Sequence, residues 1–173
     1  MTQDTKSLKE AFTNVWRFAL MNGLCYMVTY TLYPGLCFNL MIGTDANWRY
    51  PIIILGVSFT DCCAKFLNSW LAIREGRTYY IIGIARILLV PLFIMGLVFK
   101  RSWVFGSVAF GITLPILMAF SNGLTTSASL GISSERGAPE TKQINGYIMI
   151  ASMFSGVVFG SFWPMVILDF IPP

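Results

Sequence analysis

The chain has 173 residues and a net charge of +4, yet only 12% of its side chains are charged and 55% are hydrophobic. With a mean hydropathy of +0.67, it lies far from soluble globular proteins, of which about a quarter of the residues are charged. Because it lacks histidine, a Cys-x-x-Cys pair and a basic patch interleaved with aromatic residues, we expect no metal, no cofactor and no nucleic-acid partner.

Five apolar segments follow one another along the chain. In order they cover 14–40, 50–73, 79–99, 103–131 and 144–168, after a polar lead-in at 1–13. Each is long enough to cross the lipid bilayer as a helix, which takes about 20 residues, and backbone groups in lipid must form their hydrogen bonds within the segment. The connections are short, so neighbouring helices must be antiparallel. We therefore predict an all-α, polytopic membrane helix bundle with five transmembrane helices, formed as a single domain by residues 1–173.

The basic residues near the predicted helix ends divide unevenly between the two sides of the membrane. Seven lie on one side, namely Lys6, Lys9, Arg17, Arg74, Arg77, Arg136 and Lys142, and three on the other, namely Arg49, Lys100 and Arg101. Cytosolic connections are enriched in Lys and Arg. We therefore predict a multi-pass protein, expected in the plasma membrane, with a cytosolic N-terminus and an extracellular C-terminus.

The second segment contains an acid and a base, Asp61 and Lys65, in the stretch GVSFTDCCAKFLNSW. Asp61 is eleven residues into this segment, which places it roughly 16 Å along a helix and near the middle of the bilayer core. Lys65 is four residues later and therefore lies on the same helix face. A charge at this depth costs several kcal/mol and pairing offsets only part of it, so the pair indicates a functional site more than a structural ion pair.

Several motifs in the expected order carry a resemblance to equilibrative nucleoside transporters. SFTDCCAK resembles the family's eighth span, F-N-x-x-D-x-x-G-R, with Asp61 in the acid position and Lys65 in place of the usual arginine. IARILLVPLF resembles the ninth span through Arg86 and Pro91, and AFSNG, which contains Asn122, resembles the tenth. TYTLYPGLCF resembles the seventh span and GYIMIASMFSGVVFGSF the glycine-rich eleventh. Nearly the whole chain is therefore similar to the C-terminal half of the family, spans seven to eleven.

This resemblance implies both a fold and a function. Such transporters resemble major-facilitator folds, with six spans followed by five, so the chain looks like a fragment whose partner is a missing N-terminal six-span half. The family carries nucleosides or nucleobases across the lipid bilayer by facilitated diffusion and alternating access, which requires no enzymatic activity. Asp61 can accept hydrogen bonds from the ribose hydroxyls while Lys65 donates to the substrate. Since the pair sums to zero charge, a neutral ligand can pass without importing charge.

Other residues are weighed against ordinary roles in a helix bundle. Ser58, three residues before Asp61, is a candidate for substrate binding or for a helix hydrogen bond. We expect Asn122 to cap or bridge helices and Arg86 to snorkel or to pair inside the bundle. The remaining gate or structural candidates are the aromatic-proline pair Tyr33–Pro34, which marks a bend, and Gly156 and Gly160, whose spacing lets helices approach closely.

Two alternative functions stay open on the sequence alone. One is a proton-coupled nucleoside transporter of the same fold, in which Asp61 would load and release a proton, although the neighbouring Lys65 argues against it. The other is a membrane scaffold without transport activity, for which the short chain is the reason. The preference among purines, pyrimidines, bases and nucleosides is not readable from these residues.

Overall fold

The computed structural model describes residues 3–41, 48–71, 73, 76–99, 102–136 and 139–170, and all regular structure in these ranges is helical. The helices are α1 (Gln3–Tyr30), α2 (Arg49–Leu71), α3 (Gly76–Ile87), α4 (Leu89–Val98), α5 (Val108–Glu135) and α6 (Lys142–Phe170). A distorted helical segment, Thr31–Leu36, continues α1, and tight helical turns lie at Cys37–Met41 and Pro139–Thr141. The predicted all-α class is therefore confirmed.

Four helical stretches of the described chain are long and apolar enough to span a membrane. They are Tyr50–Leu71, Gly76–Val98, Val108–Glu135 and Pro139–Phe170, and they correspond to the last four predicted spans. α1 has 28 residues, which is sufficient length for the first span, but its opening turns are polar. The lead-in 1–13 is thus not separate from the span, because the helix already begins at Gln3.

The first predicted span, 14–40, is not one continuous helix. Its backbone leaves the helical conformation at Tyr33, where φ is −132° and ψ is 127°, and the Tyr33–Pro34 peptide bond is cis. A proline ring disfavours the helical conformation of the residue before it, and proline has no N–H for the helix ladder. The bend expected at this pair is therefore present.

The third and fourth predicted spans also differ from the structure. The segment 79–99 is divided at Leu88, between α3 and α4, because Pro91 cannot donate a hydrogen bond to the Ile87 carbonyl. The segment expected to begin at 103 begins at Val108, where the Ser107 side chain accepts a hydrogen bond from the Phe110 N–H at 3.2 Å and caps α5.

Some sequence predictions lie outside the described residues. They concern the cations Arg74, Lys100 and Arg101, which entered the orientation argument, and the ends of the chain at 1–2 and 171–173.

Two helix pairs organise the bundle: α1 packs against α6, and α2 packs against α5, while α3 contacts both α1 and α5. Glycines let both pairs approach closely. A Cβ atom at Gly156 or Gly160 would lie under 3.0 Å from backbone atoms of α1, and one at Gly123 would lie under 3.0 Å from the Asp61 carbonyl oxygen. This approach of α5 to α2 fixes the position of the acid-bearing turn.

Candidate functional site

A cavity of about 420 Å³ opens between α1, α2, α5 and α6, and we call it the central cavity. It is lined by Tyr26, Thr29, Tyr30, Tyr33, Pro34, Val57, Ser58, Asp61, Lys65, Met118, Ala119, Asn122, Met153, Phe154 and Val157. Its volume falls in the range of about 300–1,000 Å³ that small-molecule sites occupy. The mixture of apolar walls and a few convergent polar groups is typical of such sites.

The charged pair lies in the wall of this cavity. Lys65 Nζ donates a hydrogen bond to Asp61 Oδ2 at 2.5 Å, as the spacing of four residues on one helix predicts. Asp61 is 21% exposed and Lys65 is 46% exposed by side chain. Both are therefore reachable from the cavity, and the ammonium, with three N–H donors, has two remaining for other acceptors.

Asn122 connects the pair to the interior of the bundle. Its Nδ2 donates to Asp61 Oδ1 at 2.9 Å, so each carboxylate oxygen has one donor. The contact joins α5 to α2 beside Gly123, where the two backbones approach closely. Asn122 thus bridges helices and also lines the central cavity.

Arg86 lies behind Asn122 and is only 1% exposed. From α3 its guanidinium donates to Asn122 Oδ1 at 3.1 Å and to Thr125 Oγ1 at 2.8 Å, and also to Thr29 Oγ1. All three acceptors are uncharged, and Asp61 is connected to Arg86 through the Asn122 amide. We call these residues the polar network: Lys65, Asp61, Asn122, Arg86, Thr29 and Thr125.

Several aromatic side chains line the central cavity together with the polar network, and we call them the aromatic wall. Tyr26, Tyr30 and Tyr33 come from the α1 side, and Phe154 comes from α6. The Tyr26 and Tyr30 rings stack with their centroids 6.4 Å apart. Sequence reasoning missed Tyr26 and Tyr30, although their spacing of four and then three residues before Tyr33 is a helical signal that could have identified the face.

The structure therefore brings together most of the residues selected from the sequence. Ser58, Asp61, Lys65, Tyr33, Pro34 and Asn122 all line the central cavity. Arg86, Gly156 and Gly160 do not line it: Arg86 contacts Asn122, and the two glycines lie at the α1–α6 contact. In the described ranges, no three His, Cys, Asp or Glu side chains lie together as metal ligands.

The chain belongs to the nucleoside transporter family, whose pattern matches residues 2–168. It is 27% identical over 148 residues to equilibrative nucleoside transporter 4 of Danio rerio, covering 85% of this chain and 28% of the relative. Human equilibrative nucleoside transporter 4 is 25% identical over 148 residues, which again cover 85% of this chain and 28% of the relative. Human equilibrative nucleoside transporter 2 is 26% identical over 165 residues, covering 90% of this chain and 36% of the relative.

The chain thus spans between 28% and 36% of the length of these curated relatives. No solved structure matches it significantly. Family membership and the apolar helices together make this an integral, multi-pass membrane protein.

Proposed function

We propose that this chain forms the C-terminal bundle of a facilitative transporter that carries nucleosides or nucleobases by alternating access. The observation that carries the proposal is the Asp61–Lys65 pair in the wall of the central cavity, with uncharged hydrogen-bonding groups and aromatic rings around it. Membership of the nucleoside transporter family supports the class of substrate.

The polar wall has the chemistry that a ribose requires. Each Asp61 oxygen accepts one hydrogen bond within the protein, and each has a further acceptor site for a ribose hydroxyl. The two remaining Lys65 N–H groups supply donors for ribose or base oxygens. Ser58 lines the same cavity one turn earlier on α2 and adds a hydroxyl, which both donates and accepts.

The aromatic wall has the chemistry that a nucleobase requires. Flat heteroaromatic rings stack on aromatic side chains, and this contact is worth about 1–3 kcal/mol per base in single-stranded nucleic-acid complexes. Tyr26, Tyr30 and Phe154 present such surfaces in the same cavity as the charged pair. A nucleoside would then place its ribose against α2 and its base against α1 and α6.

An N-terminal six-span half would close the open side of the cavity. Large apolar side chains of α2 are exposed, among them Phe59 at 68% and Phe66 at 70%, and these need lipid or protein cover. Alternating access requires two bundles that move around a site between them, and this chain supplies one. We therefore propose that transport requires the second bundle.

Uptake into liposomes tests this proposal. The 173-residue chain is reconstituted alone and together with the six-span half of human equilibrative nucleoside transporter 2, and labelled uridine and adenosine are supplied. We expect saturable, mutually competing uptake only from the combined protein, without proton flux driven by the substrate. No saturable uptake from either preparation would overturn the function, and coupled proton flux would replace it with the proton-coupled alternative.

We also propose that the protein resides in the plasma membrane with its N-terminus in the cytosol. Labelling of introduced thiols tests this orientation. Cys62 and Cys63 are exposed and are first replaced by serine. A thiol at Glu140→Cys should then react with an impermeant reagent only after permeabilisation, and one at Phe170→Cys should react in intact cells. The reverse pattern would invert the orientation.

A further inference from the structure

A second, smaller cavity of about 240 Å³ lies between α2 and α5, and we call it the end cavity. It is lined by Lys65, Asn68, Ser69, Ile73, Ser127, Ala128, Gly131 and Glu135. These residues lie toward the ends of α2 and α5, one or more turns beyond the Asp61 level. In the orientation that the basic residues predict, the end cavity is on the cytosolic side of the central cavity.

Lys65 connects the two cavities, because it lines both of them. Its ammonium uses one donor on Asp61 and carries two more. A lysine side chain is long and rotates freely, so the same ammonium can serve a ligand on either side of the pair. Lys65 is therefore common to the walls of both cavities.

Asn68 supplies an independent sign of a ligand. Its side chain is 8% exposed, and its Oδ1 is buried with no hydrogen-bond partner among the described residues. A buried acceptor without a partner costs about 1–3 kcal/mol. Asn68 lines the end cavity, so a rotation of its amide toward the cavity would let an incoming O–H or N–H group supply the missing partner.

Two serines extend this acceptor surface. Ser69 Oγ donates to the Phe66 carbonyl at 2.6 Å and Ser127 Oγ donates to the Gly123 carbonyl at 2.7 Å. Each hydroxyl has thereby used its only hydrogen on its own helix, and its oxygen can still accept. The end cavity thus offers several acceptors, among them the Glu135 carboxylate, and one shared cation, which suits a ligand without net charge that has several hydroxyl or amino groups.

We propose that the end cavity is a second polar subsite, which takes the hydroxyl-bearing end of the substrate between the central cavity and the cytosol, with Lys65 shared by both sites. This inference rests on the proposed transport of nucleosides. Sites that hold whole drug-sized ligands have volumes of about 300 Å³ or more. The end cavity is smaller, so the subsite accommodates one end of a nucleoside. The acceptors select the ribose end, which carries the O–H groups and would reach this subsite after it leaves Asp61 on the way to the cytosol.

Protection of introduced thiols tests the subsite in membranes that contain the chain joined to the six-span half. Cys62 and Cys63 are replaced by serine, and a single cysteine is placed at Val157→Cys in the central cavity or at Gly131→Cys in the end cavity. Gly146→Cys, on α6, is the matched control, since a Cβ at Gly131 or Gly146 has nothing within 4 Å. An impermeant methanethiosulfonate is applied to inside-out vesicles with and without adenosine or uridine.

We expect either nucleoside to slow labelling severalfold at Val157→Cys and at Gly131→Cys, and to leave the rate at Gly146→Cys unchanged. Adding Asn68→Leu should abolish protection at Gly131→Cys and retain it at Val157→Cys, because the unpaired acceptor is gone while the central cavity is intact. If leucine lowers the amount of inserted protein, the double variant Ser69→Ala with Ser127→Ala replaces it, with the same expected result.

Each other outcome is decisive. Protection at Val157→Cys without protection at Gly131→Cys would overturn the subsite, which would then hold water only, and would leave the proposed function standing. Protection at Gly131→Cys that survives both sets of acceptor substitutions would overturn it in favour of conformational closure. Protection at neither position would count against nucleoside binding itself.

Discussion

The two helix pairs of the bundle use the same means of close approach but differ in what lies at the contact. At the α1–α6 contact, Gly156 and Gly160 meet the backbone of α1, and the neighbouring polar contacts are uncharged, as where Asn22 donates to the Met149 carbonyl at 3.3 Å. At the α2–α5 contact, Gly123 meets the backbone of Asp61, and the Asp61 carboxylate forms the charged pair with Lys65.

Because only the α2–α5 contact includes the charged pair, changes at the two contacts should have different effects. A change at the α1–α6 contact acts on how well two helices fit together. A change at the α2–α5 contact moves the Asp61 backbone, and with it the orientation of the carboxylate toward Lys65 and Asn122. Because interiors are close-packed and transmit small displacements, the second contact should affect both stability and substrate affinity, and the first mainly stability.

The largest effect is expected from Asp61→Asn in the transport-competent protein. It removes the charge that Lys65 faces and one hydroxyl-accepting group, and a hydrogen bond to a charged group is worth about 1.5–3 kcal/mol. Uptake efficiency should fall by about ten-fold or more, at about 1.4 kcal/mol per factor of ten. Initial rates of uridine uptake, at matched amounts of inserted protein, measure it.

Controls separate folding from function in that experiment. The double variant Asp61→Asn with Lys65→Met removes the stranded cation and should recover inserted protein without recovering uptake. Lys65→Arg should keep or improve uptake, because its planar fork reaches Asp61 and adds donors. Parental uptake and affinity in the double variant would show that the pair only locks the helix bundle.

The second prediction compares two glycines of α5. Gly123→Ala places a methyl group under 3.0 Å from the Asp61 carbonyl oxygen and the Ala64 side chain, whereas Gly131→Ala meets nothing within 4 Å. Overpacking costs about 1–3 kcal/mol, so Gly123→Ala should lower the melting temperature in detergent and raise the apparent KM. Gly131→Ala should leave the melting temperature unchanged or raise it, since alanine favours a helix.

The third prediction makes the same comparison on α6. Gly156→Ala places a methyl group under 3.0 Å from the Gly23 carbonyl oxygen, and Gly146→Ala has nothing within 4 Å. The same methyl group would lie 2.9 Å from the Cβ of Tyr26, so Gly156→Ala should lower the melting temperature as Gly123→Ala does and raise the apparent KM less than Gly123→Ala, because it displaces an aromatic side chain and not the charged pair. An increase in KM as large as that of Gly123→Ala would erase the distinction between the two contacts.

Features that depend on residues close together in the chain could be predicted from the sequence. Most of those that could not be predicted are contacts between residues far apart in the chain. The Asp61–Lys65 contact follows from a spacing of four, and the interruption at Tyr33 follows from Pro34. The break at Leu88 had a readable cause in Pro91, which the span assignment passed over. The Arg86–Asn122 contact joins residues 36 positions apart, and only the packing of α3 against α5 determines it.

The smallest effect should distinguish two adjacent threonines of α5 that both lie inside the bundle. Thr125 Oγ1 accepts a hydrogen bond from Arg86 at 2.8 Å, whereas Thr126, 7% exposed, has a buried hydroxyl oxygen without a partner in the described part of the chain. Thr125→Val removes an acceptor of a buried cation. Thr126→Val removes a group that the fold leaves unpaired.

Interhelical hydrogen bonds in membranes are worth about 0.6 kcal/mol on average and up to about 1.7 kcal/mol, so Thr125→Val should lower the free energy of unfolding by an amount in that range. It should also raise the apparent KM slightly, because Arg86 holds the Asn122 amide that donates to Asp61. Thr126→Val should be neutral or stabilising, with KM unchanged. Both quantities are measured on the two variants in parallel, and equal losses of stability would mean that burial of the threonines, rather than the polar network between α3 and α5, sets the cost.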